Sequence, residues 1–269
     1  MKISSISPLT RLLIEIRGRA VRIFIVMGLL TLVCMSLGVS LVNLNGYDVP
    51  NLHIDAFNNI SVQIISLLKN DLIPKNVNLV QTAPGQSFNA QLYVALIIGL
   101  VGTLPLIFRE FFVFINPALF HHENKIIKKT LLPMVLLFIM GCIFSYTIVI
   151  PYTLEFLYKY GQVIEITSFF EITSFVVFTL NMLVIFGFSF QIPLVMWAIT
   201  KSGLVSQIFW IKNIGYIAIF LIILGALLTP DGSGITMWFI TIPLLLLYAA
   251  GLAAIKFDSL LYIHSQNQK

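Results

Sequence analysis

The chain has 269 residues, of which 58% are hydrophobic and only 10% charged, and its formal net charge is +5. This composition excludes an ordinary soluble domain and a disordered chain, and its mean hydropathy of +0.97 indicates an integral membrane protein. The sequence shows no carrier for nucleotide hydrolysis or common hydrolase chemistry, because it contains no GxxxxGK[ST], GxSxG or HExxH motif.

Six apolar segments follow one another along the chain, and a helix needs about 20 such residues to cross the hydrocarbon core. Apolar length, with turn and charge clusters as boundaries, predicts spans at residues 21–42, 91–108, 130–152, 172–200, 213–229 and 235–255. The second and fifth are short and the fourth is long, which predicts tilted helices. The predicted fold class is an all-α polytopic membrane protein, with residues 1–269 forming a single transmembrane domain.

Basic residues predict which side of the membrane each loop occupies. Thirteen of the sixteen Lys and Arg, but only four of the eleven acids, fall in residues 1–22, 109–129, 201–212 and 256–269. Loops rich in Lys and Arg stay in the cytoplasm. Because an even number of spans places both termini on one side, we expect both termini to be cytoplasmic.

The N-terminal segment predicts an interfacial amphipathic helix that starts near Ser7-Pro8 and continues into the first span. One face is apolar, and the other is suited to anionic lipid headgroups because it is basic. That polar face carries Arg11, Glu15, Arg17, Arg19 and Arg22. Glu15 is its only acid, and a surface ion pair with Arg11 or Arg19 is as good an interpretation as a functional role.

The longest external segment covers residues 43–89 and contains Pro50, Pro74 and Pro84-Gly85 as helix breakers. Between these breakers, apolar residues recur at helical spacing and predict an amphipathic helix on the outer ends of the bundle. They are Phe57, Ile60, Ile64, Ile65 and Leu68.

Cysteine and histidine indicate neither a disulfide nor a metal site. Cys34 and Cys142 fall inside predicted spans, where a free thiol behaves as a small apolar side chain. The four histidines are scattered, and only His121 and His122 are adjacent, which is not the ligand spacing of a zinc site. We therefore expect no cofactor.

Five motifs, in family order, resemble those of the TatC subunit of the twin-arginine protein translocase. They are residues 12–19 (LLIEIRGR), 114–123 (FINPALFHHE), 186–193 (FGFSFQIP), 228–231 (LTPD) and 242–248 (IPLLLLY). The second match is the most specific, and the resemblance extends over residues 8–255. It implies a receptor subunit, not an enzyme, in a prokaryotic cytoplasmic membrane or, alternatively, an organellar inner or thylakoid membrane.

The resemblance implies that the chain binds twin-arginine signal peptides of folded precursors at its cytoplasmic face. A guanidinium pairs bidentately with a carboxylate, whereas lysine offers only a point charge, so Glu15 and Glu123 together suit two adjacent arginines. The implied signal-peptide-binding residues are Glu15, Glu123, Arg17, Arg19, Phe114 and Pro117. The competing interpretations are positive-inside anchoring for the two arginines, pairing with nearby lysines for Glu123, and loop packing for Phe114 and Pro117.

The resemblance also implies single-span partners of the TatA and TatB type, contact with membrane lipids, assembly into homo-oligomers within a larger complex, and no nucleic acid. The residues implied for partner-helix or intramembrane polar contact are Gln191, Pro193, Thr229 and Asp231. Gln191 stands where the family usually has glutamate, and Ala249 follows Tyr248 where glutamate is common. Satisfaction of Gln191 within its own bundle is an equally good interpretation.

Two other classes of function remain as alternatives. A secondary small-solute or ion transporter usually carries ionisable residues within its spans, and the middles of the predicted spans contain essentially none. An intramembrane enzyme needs a nucleophile with a base, or paired acids on facing helices. The sequence shows neither constellation.

Overall fold

The computed structural model describes residues 8–44, 47–73, 77–119, 124–163, 169–201, 203–229 and 234–266. Its elements are α1 (Pro8–Ser36), β1 (Leu37–Leu44), β2 (Tyr47–Ile54), α2 (Ile60–Leu72), β3 (Asn78–Val80), α3 (Gln86–Leu119), α4 (Asn124–Phe144), a π-helical turn (Ser145–Val149), α5 (Ile150–Val163), β4 (Phe169–Glu171), α6 (Ile172–Ser189), α7 (Ile192–Lys201), α8 (Gln207–Lys212), α9 (Ile214–Leu228) and α10 (Gly234–Gln266).

Among the described residues, five helical segments are long and apolar enough to cross a membrane, which confirms the predicted class of mainly helical membrane protein. They are Ile14–Ser36, Gln86–Glu110, Leu132–Val163, Ile172–Lys201 and Gly234–Asp258. The fifth predicted span corresponds to α9, an apolar helix of only 15 residues, or about 22 Å at 1.5 Å per residue, and it is short, as predicted. The second span was predicted to be short, and this is wrong: its apolar part has 25 residues.

The chain divides into two compact units, residues 1–71 with 81–116 and residues 72–80 with 117–269. In the first unit, α1 and α3 approach closely at two glycines. A Cβ atom on Gly99 would lie 2.8 Å from the backbone oxygen of Met27 and 2.6 Å from Oγ1 of Thr31, and one on Gly102 would lie 2.9 Å from Leu30. Helices without side chains at the contact bring their backbones together, which is how membrane helices gain packing energy.

The first span ends earlier than the apolar pattern predicts. Helix α1 stops at Ser36, and the chain continues into an antiparallel hairpin of β1 and β2, with Leu37 opposite Ile54 and Leu44 opposite Tyr47. Residues 37–42 were predicted as helix because a short apolar strand and a helix end look alike in hydropathy. Pro50, which was predicted to break a helix, lies within strand β2, opposite Leu41.

The amphipathic helix of the external segment is confirmed as α2, which buries Ile65 and Leu68. Its N-terminus is fastened to the end of α1, because the Asn59 amide donates to the backbone oxygen of Met35 at 3.1 Å. The assignment of Phe57 to the apolar face is wrong. Phe57 precedes the helix and is 92% exposed, so helical spacing does not apply to it.

In the second unit, α4, the π-turn and α5 form one continuous helical run beside α6 and α7. A Cβ atom on Gly141 would lie 2.9 Å from Cα of Gly187, so α4 and α6 pack backbone against backbone. The predicted fourth span is not one continuous helix, because α6 ends at Ser189 and α7 starts at Ile192. Pro193, which lacks the backbone donor that would continue the helix, explains the break. Helix α10 packs on α7 and α9.

Replacing Gly99 by alanine is expected to destabilise the protein by roughly 1–3 kcal/mol, because the added methyl group collides with the backbone of α1. Gly28→Ala on α1 is the matched control, since nothing lies within 4 Å of a Cβ atom there. Thermal unfolding in detergent should show a lower Tm for Gly99→Ala alone. Equal Tm values for the two variants would contradict the close α1–α3 packing.

Asp55, between β2 and α2, should make the local structure sensitive to acid. Its carboxylate accepts the backbone N–H groups of Phe57 at 2.8 Å and Asn58 at 3.1 Å. Those two bonds, with a smaller contribution from His53, lower the pKa of Asp55 below its ordinary value of 3.8. Because the folded pKa is the lower one, the stabilisation is complete above pH 3.8 and disappears as the pH falls through the lowered pKa.

Hydrogen exchange at the amides of Phe57 and Asn58, corrected for intrinsic rates, measures this effect. Protection should fall at acid pH in the wild type. In Asp55→Asn, whose amide oxygen accepts the same bonds without titrating, protection should not depend on pH. The same acid-dependent loss in Asp55→Asn would show that another group is responsible.

Candidate functional site

Arg19 uses one terminal nitrogen to connect α1 to α3 and the other to bind a carboxylate on α1 itself. Nη1 donates to Oε2 of Glu110 at 2.9 Å and to the backbone oxygen of the same residue at 3.1 Å. Nη2 donates to Oε1 of Glu15 at 2.6 Å. One guanidinium therefore bridges two carboxylates, one on each helix, because its planar fork holds several donors in fixed directions, which the lysine ammonium does not.

Glu110 is the acceptor at the centre of this cluster. Its side chain is only 8% exposed, and its second oxygen, Oε1, accepts Nη1 of Arg22 at 2.7 Å. A buried carboxylate is costly unless paired and hydrogen bonded, and Glu110 has one arginine on each oxygen. Arg19 is also well covered, at 18% exposure, whereas the side chains of Glu15 and Arg22 are more than half exposed.

The cluster lines an open depression of about 360 Å³ together with Ile14 and Gly18. Five charged side chains line it: Glu15, Arg19, Arg22, Arg109 and Glu110. With two acids and three arginines, the described lining has a net charge of +1. Both carboxylates already bind guanidinium groups, and Glu15 remains open to solvent.

Of the predicted binding residues, Glu15 and Arg19 are brought together by the structure. They form the i,i+4 ion pair that the sequence offered as the simpler interpretation of Glu15. Arg17 lies on the same helix with its side chain exposed, and within the described part of the chain it has no ion pair. Arg17 and Arg19, which the sequence treated alike, therefore differ in the structure: Arg19 belongs to the ion-pair cluster, and Arg17 does not.

The other predicted binding residues are only partly described. Phe114 and Pro117 belong to the last part of α3, which continues to Leu119. The sequence assigned both residues to the loop after the second span; they do follow the apolar segment, which ends at Glu110, and their backbone there is helical. Glu123 lies outside the described residues, as does Asp231.

Sequence analysis missed Glu110, although two signals pointed to it. It is one of only two acids in the basic segment 109–129, and it lies two residues after the end of an apolar run. Arg19 and Arg22 are also three residues apart, on one helix face, so a common partner was to be expected. Glu110 was considered only in the count of loop charges, so it was not recognised as a partner of these two arginines.

Gln191, the polar residue predicted within the fourth span, lies at the break between α6 and α7 and is buried. Its Nε2 donates to the backbone oxygens of Met134 at 3.1 Å and Gly187 at 3.3 Å, which joins α6 to α4. Its Oε1 is buried and has no hydrogen-bond partner among the described residues. The amide nitrogen of Gln191 is thus satisfied within its own bundle, whereas its buried amide oxygen has no partner among the described residues.

Pro193 and Thr229 occupy different surroundings. Pro193 lines an apolar groove with Leu194 and Trp197, while Thr229 follows α9 and donates its hydroxyl to the backbone oxygen of Ala226 at 2.9 Å. The structure does not bring these two residues into one site with Gln191. The described residues contain no group of three His, Cys, Asp or Glu side chains able to hold a metal ion.

Removing the Glu110 carboxylate should destabilise the first unit strongly. Glu110→Ala leaves Arg19 without its α3 partner in a covered position, which costs roughly 3 kcal/mol. Glu155→Ala is the matched control, because Glu155 pairs with Lys159 at 2.6 Å in an exposed i,i+4 arrangement worth at most about 0.5 kcal/mol. Thermal unfolding should show a large fall in Tm for the first variant only. Equal falls would mean that the cluster adds no more than a surface pair.

Comparison with known proteins agrees with this architecture. The family described as "Sec-independent protein translocase protein (TatC)" matches residues 11–243. A TatC protein of Cenarchaeum symbiosum is 43% identical over 242 residues, covering 88% of this chain and 90% of that protein. One from Aquifex aeolicus is 31% identical over 189 residues, covering 69% and 78%.

A solved structure described as the twin arginine translocase receptor TatC superposes on this chain with a TM-score of 0.76 at 25% identity, covering 92% of this chain and 99% of that one. The family match and the Cenarchaeum symbiosum relative each cover most of the chain. The chain is therefore a member of the TatC family of Sec-independent protein translocase proteins, and an integral membrane component of twin-arginine protein transport.

Proposed function

We propose that this chain is the receptor subunit that binds twin-arginine signal peptides at the cytoplasmic face of the membrane. The observation that carries the proposal is Glu15. Its carboxylate is exposed, binds a guanidinium through Oε1, and has no described partner on Oε2. It lies at the edge of a depression whose walls already hold guanidinium–carboxylate pairs.

In this proposal, Glu15 and Glu123 accept the two arginines of the signal. Arg19 orients Glu15, since it holds that carboxylate from a covered position. Arg17 stays available for the precursor or for lipid headgroups, and Phe114 and Pro117 shape the neighbouring end of α3. This requires residues 1–22 and 109–129 to be cytoplasmic, as the positive-inside distribution predicts.

Recruitment of TatA-type and TatB-type single-span partners is the second part of the proposal. The buried oxygen of Gln191 without a hydrogen-bond partner suits a donor from an inserted helix, because interhelical polar bonds stabilise membrane helix pairs. Pro193, in the adjoining groove, and the segment containing Thr229 and Asp231 are the other candidate contacts. Assembly into homo-oligomers belongs to the same proposal.

A photo-crosslinker at Ile14 tests signal binding, because this residue is 58% exposed and lines the depression beside Glu15. In native membranes containing the partner proteins, it should label a precursor carrying Arg-Arg several times more strongly than its Lys-Lys version. The preference should be lost when Glu15 and Glu123 are both changed to glutamine. A crosslinker at Phe57, predicted to be external, should label neither precursor.

Equal labelling of the two precursors at Ile14, with the protein folded and its partners present, would contradict the receptor proposal. Labelling at Phe57 in place of Ile14 would contradict the predicted orientation instead. A second readout is export, which should stop for the double glutamine variant while the Tm stays near that of the wild type.

A further inference from the structure

The charge of the depression raises a difficulty for a site that accepts two arginines. Its described lining has two carboxylates and three guanidiniums, so it is net positive. Like charges repel across a partly desolvated surface. Both acids are, moreover, already paired with arginines of this chain. A doubly cationic ligand binds well only if one of the resident cations leaves.

The two resident arginines differ in how firmly they are held. Arg19 makes three hydrogen bonds, and its side chain is 18% exposed. Arg22 makes one hydrogen bond, to Oε1 of Glu110, and its side chain is 59% exposed. Releasing Arg22 therefore breaks one contact and returns a solvated cation to water, whereas releasing Arg19 breaks the link between α1 and α3.

We propose that this receptor is self-occupied, with the Arg22 guanidinium holding Oε1 of Glu110 as an internal substitute for a signal-peptide arginine, and that an incoming arginine takes its place. The proposal rests on the receptor function proposed above. It adds Glu110 to the binding residues, as the carboxylate whose bound arginine is exchanged. It makes Arg22 the competitor of the signal-peptide arginine.

The geometry supports exchange at this position. Arg19 contacts Glu15 through Nη2 and Glu110 through Nη1, so both carboxylates lie within the span of one guanidinium. Departure of Arg22 removes one positive charge from the described lining and frees one carboxylate oxygen. The remaining two acids and two arginines are neutral together. An incoming guanidinium offers Oε1 the same kind of planar donor that Arg22 presents, while a lysine offers only a point charge.

Competition predicts that removal of Arg22 strengthens binding. A fluorescent peptide carrying Arg-Arg, and its Lys-Lys version, would be titrated against the full chain in lipid nanodiscs. Arg22→Gln should lower the Kd for the Arg-Arg peptide about threefold to tenfold, the range expected from losing one competing hydrogen bond of ordinary net strength. Lys212→Gln is the charge-matched control, because Lys212 is an exposed lysine of α8 outside the cluster, and its Kd should not change.

The variant Glu110→Gln tests whether Arg22 acts through Glu110. In that background, adding Arg22→Gln should change the Kd by less than about twofold, because the competed carboxylate is gone. A measurement on the wild type avoids any folding defect. Reactivity of Arg22 towards phenylglyoxal, followed by mass spectrometry, should rise when the Arg-Arg peptide is added, while Arg19 stays protected.

The outcomes separate the two proposals. Preference for Arg-Arg in the wild type, with Arg22→Gln unchanged in Kd and Arg22 unchanged in reactivity, overturns self-occupation and leaves the receptor function intact. No preference in either protein overturns both. Weaker association of Arg22→Gln with vesicles of anionic lipid, at an unchanged peptide Kd, would make Arg22 a headgroup anchor and also overturn the proposal.

Discussion

The contact between Arg19 and Glu110 is the constraint on which the candidate site depends. A carboxylate with 8% exposure at the end of the apolar part of α3 is tolerable only because guanidinium groups neutralise it and occupy both of its oxygens. That requirement fixes α1 against α3 at the same end of the two helices, while Gly99 allows their backbones to approach farther along. Arg19 in turn donates to the Glu15 carboxylate, so the packing of α1 on α3 also determines where that carboxylate lies.

Elsewhere in the protein, several covered polar side chains donate to backbone oxygens of the helices. The Gln191 amide bonds to Gly187 at the break before Pro193 and reaches Met134 on α4. Threonines do the same within helices: Thr31, Thr103 and Thr153 each donate to the backbone oxygen four residues earlier. In a hydrocarbon environment this keeps polar side chains from being orphaned. The buried oxygen of Gln191 has no such partner among the described residues, and neither do Nε of Arg19 or the hydroxyls of Ser145, Thr179 and Thr241.

Much of the fold could be predicted from the sequence, because a span is specified by hydropathy over some 20 residues. The apolar segments and the amphipathic α2 were found in this way. The hairpin of β1 and β2 was not, since its residues continue the apolar run of α1 and only hydrogen bonding separates strand from helix there. The break at Ser189 was visible only as Pro193, which marks a kink without fixing where the helix restarts.

The site was predictable only in part, for a related reason. Glu15 and Arg19 are neighbours on one helix turn, so their pairing follows from i,i+4 spacing. Glu110 is 91 residues from Arg19, and no periodicity joins the two. In a count of charges by loop, Glu110 only lowers the net positive charge of a basic segment by one. Its burial, however, means that its carboxylate needs paired arginines more than an exposed acid does. Burial decides which acid matters most in such a cluster, because it removes the water that would otherwise solvate the carboxylate. That demand is met by this chain's own arginines, so an arginine-bearing ligand must compete with them.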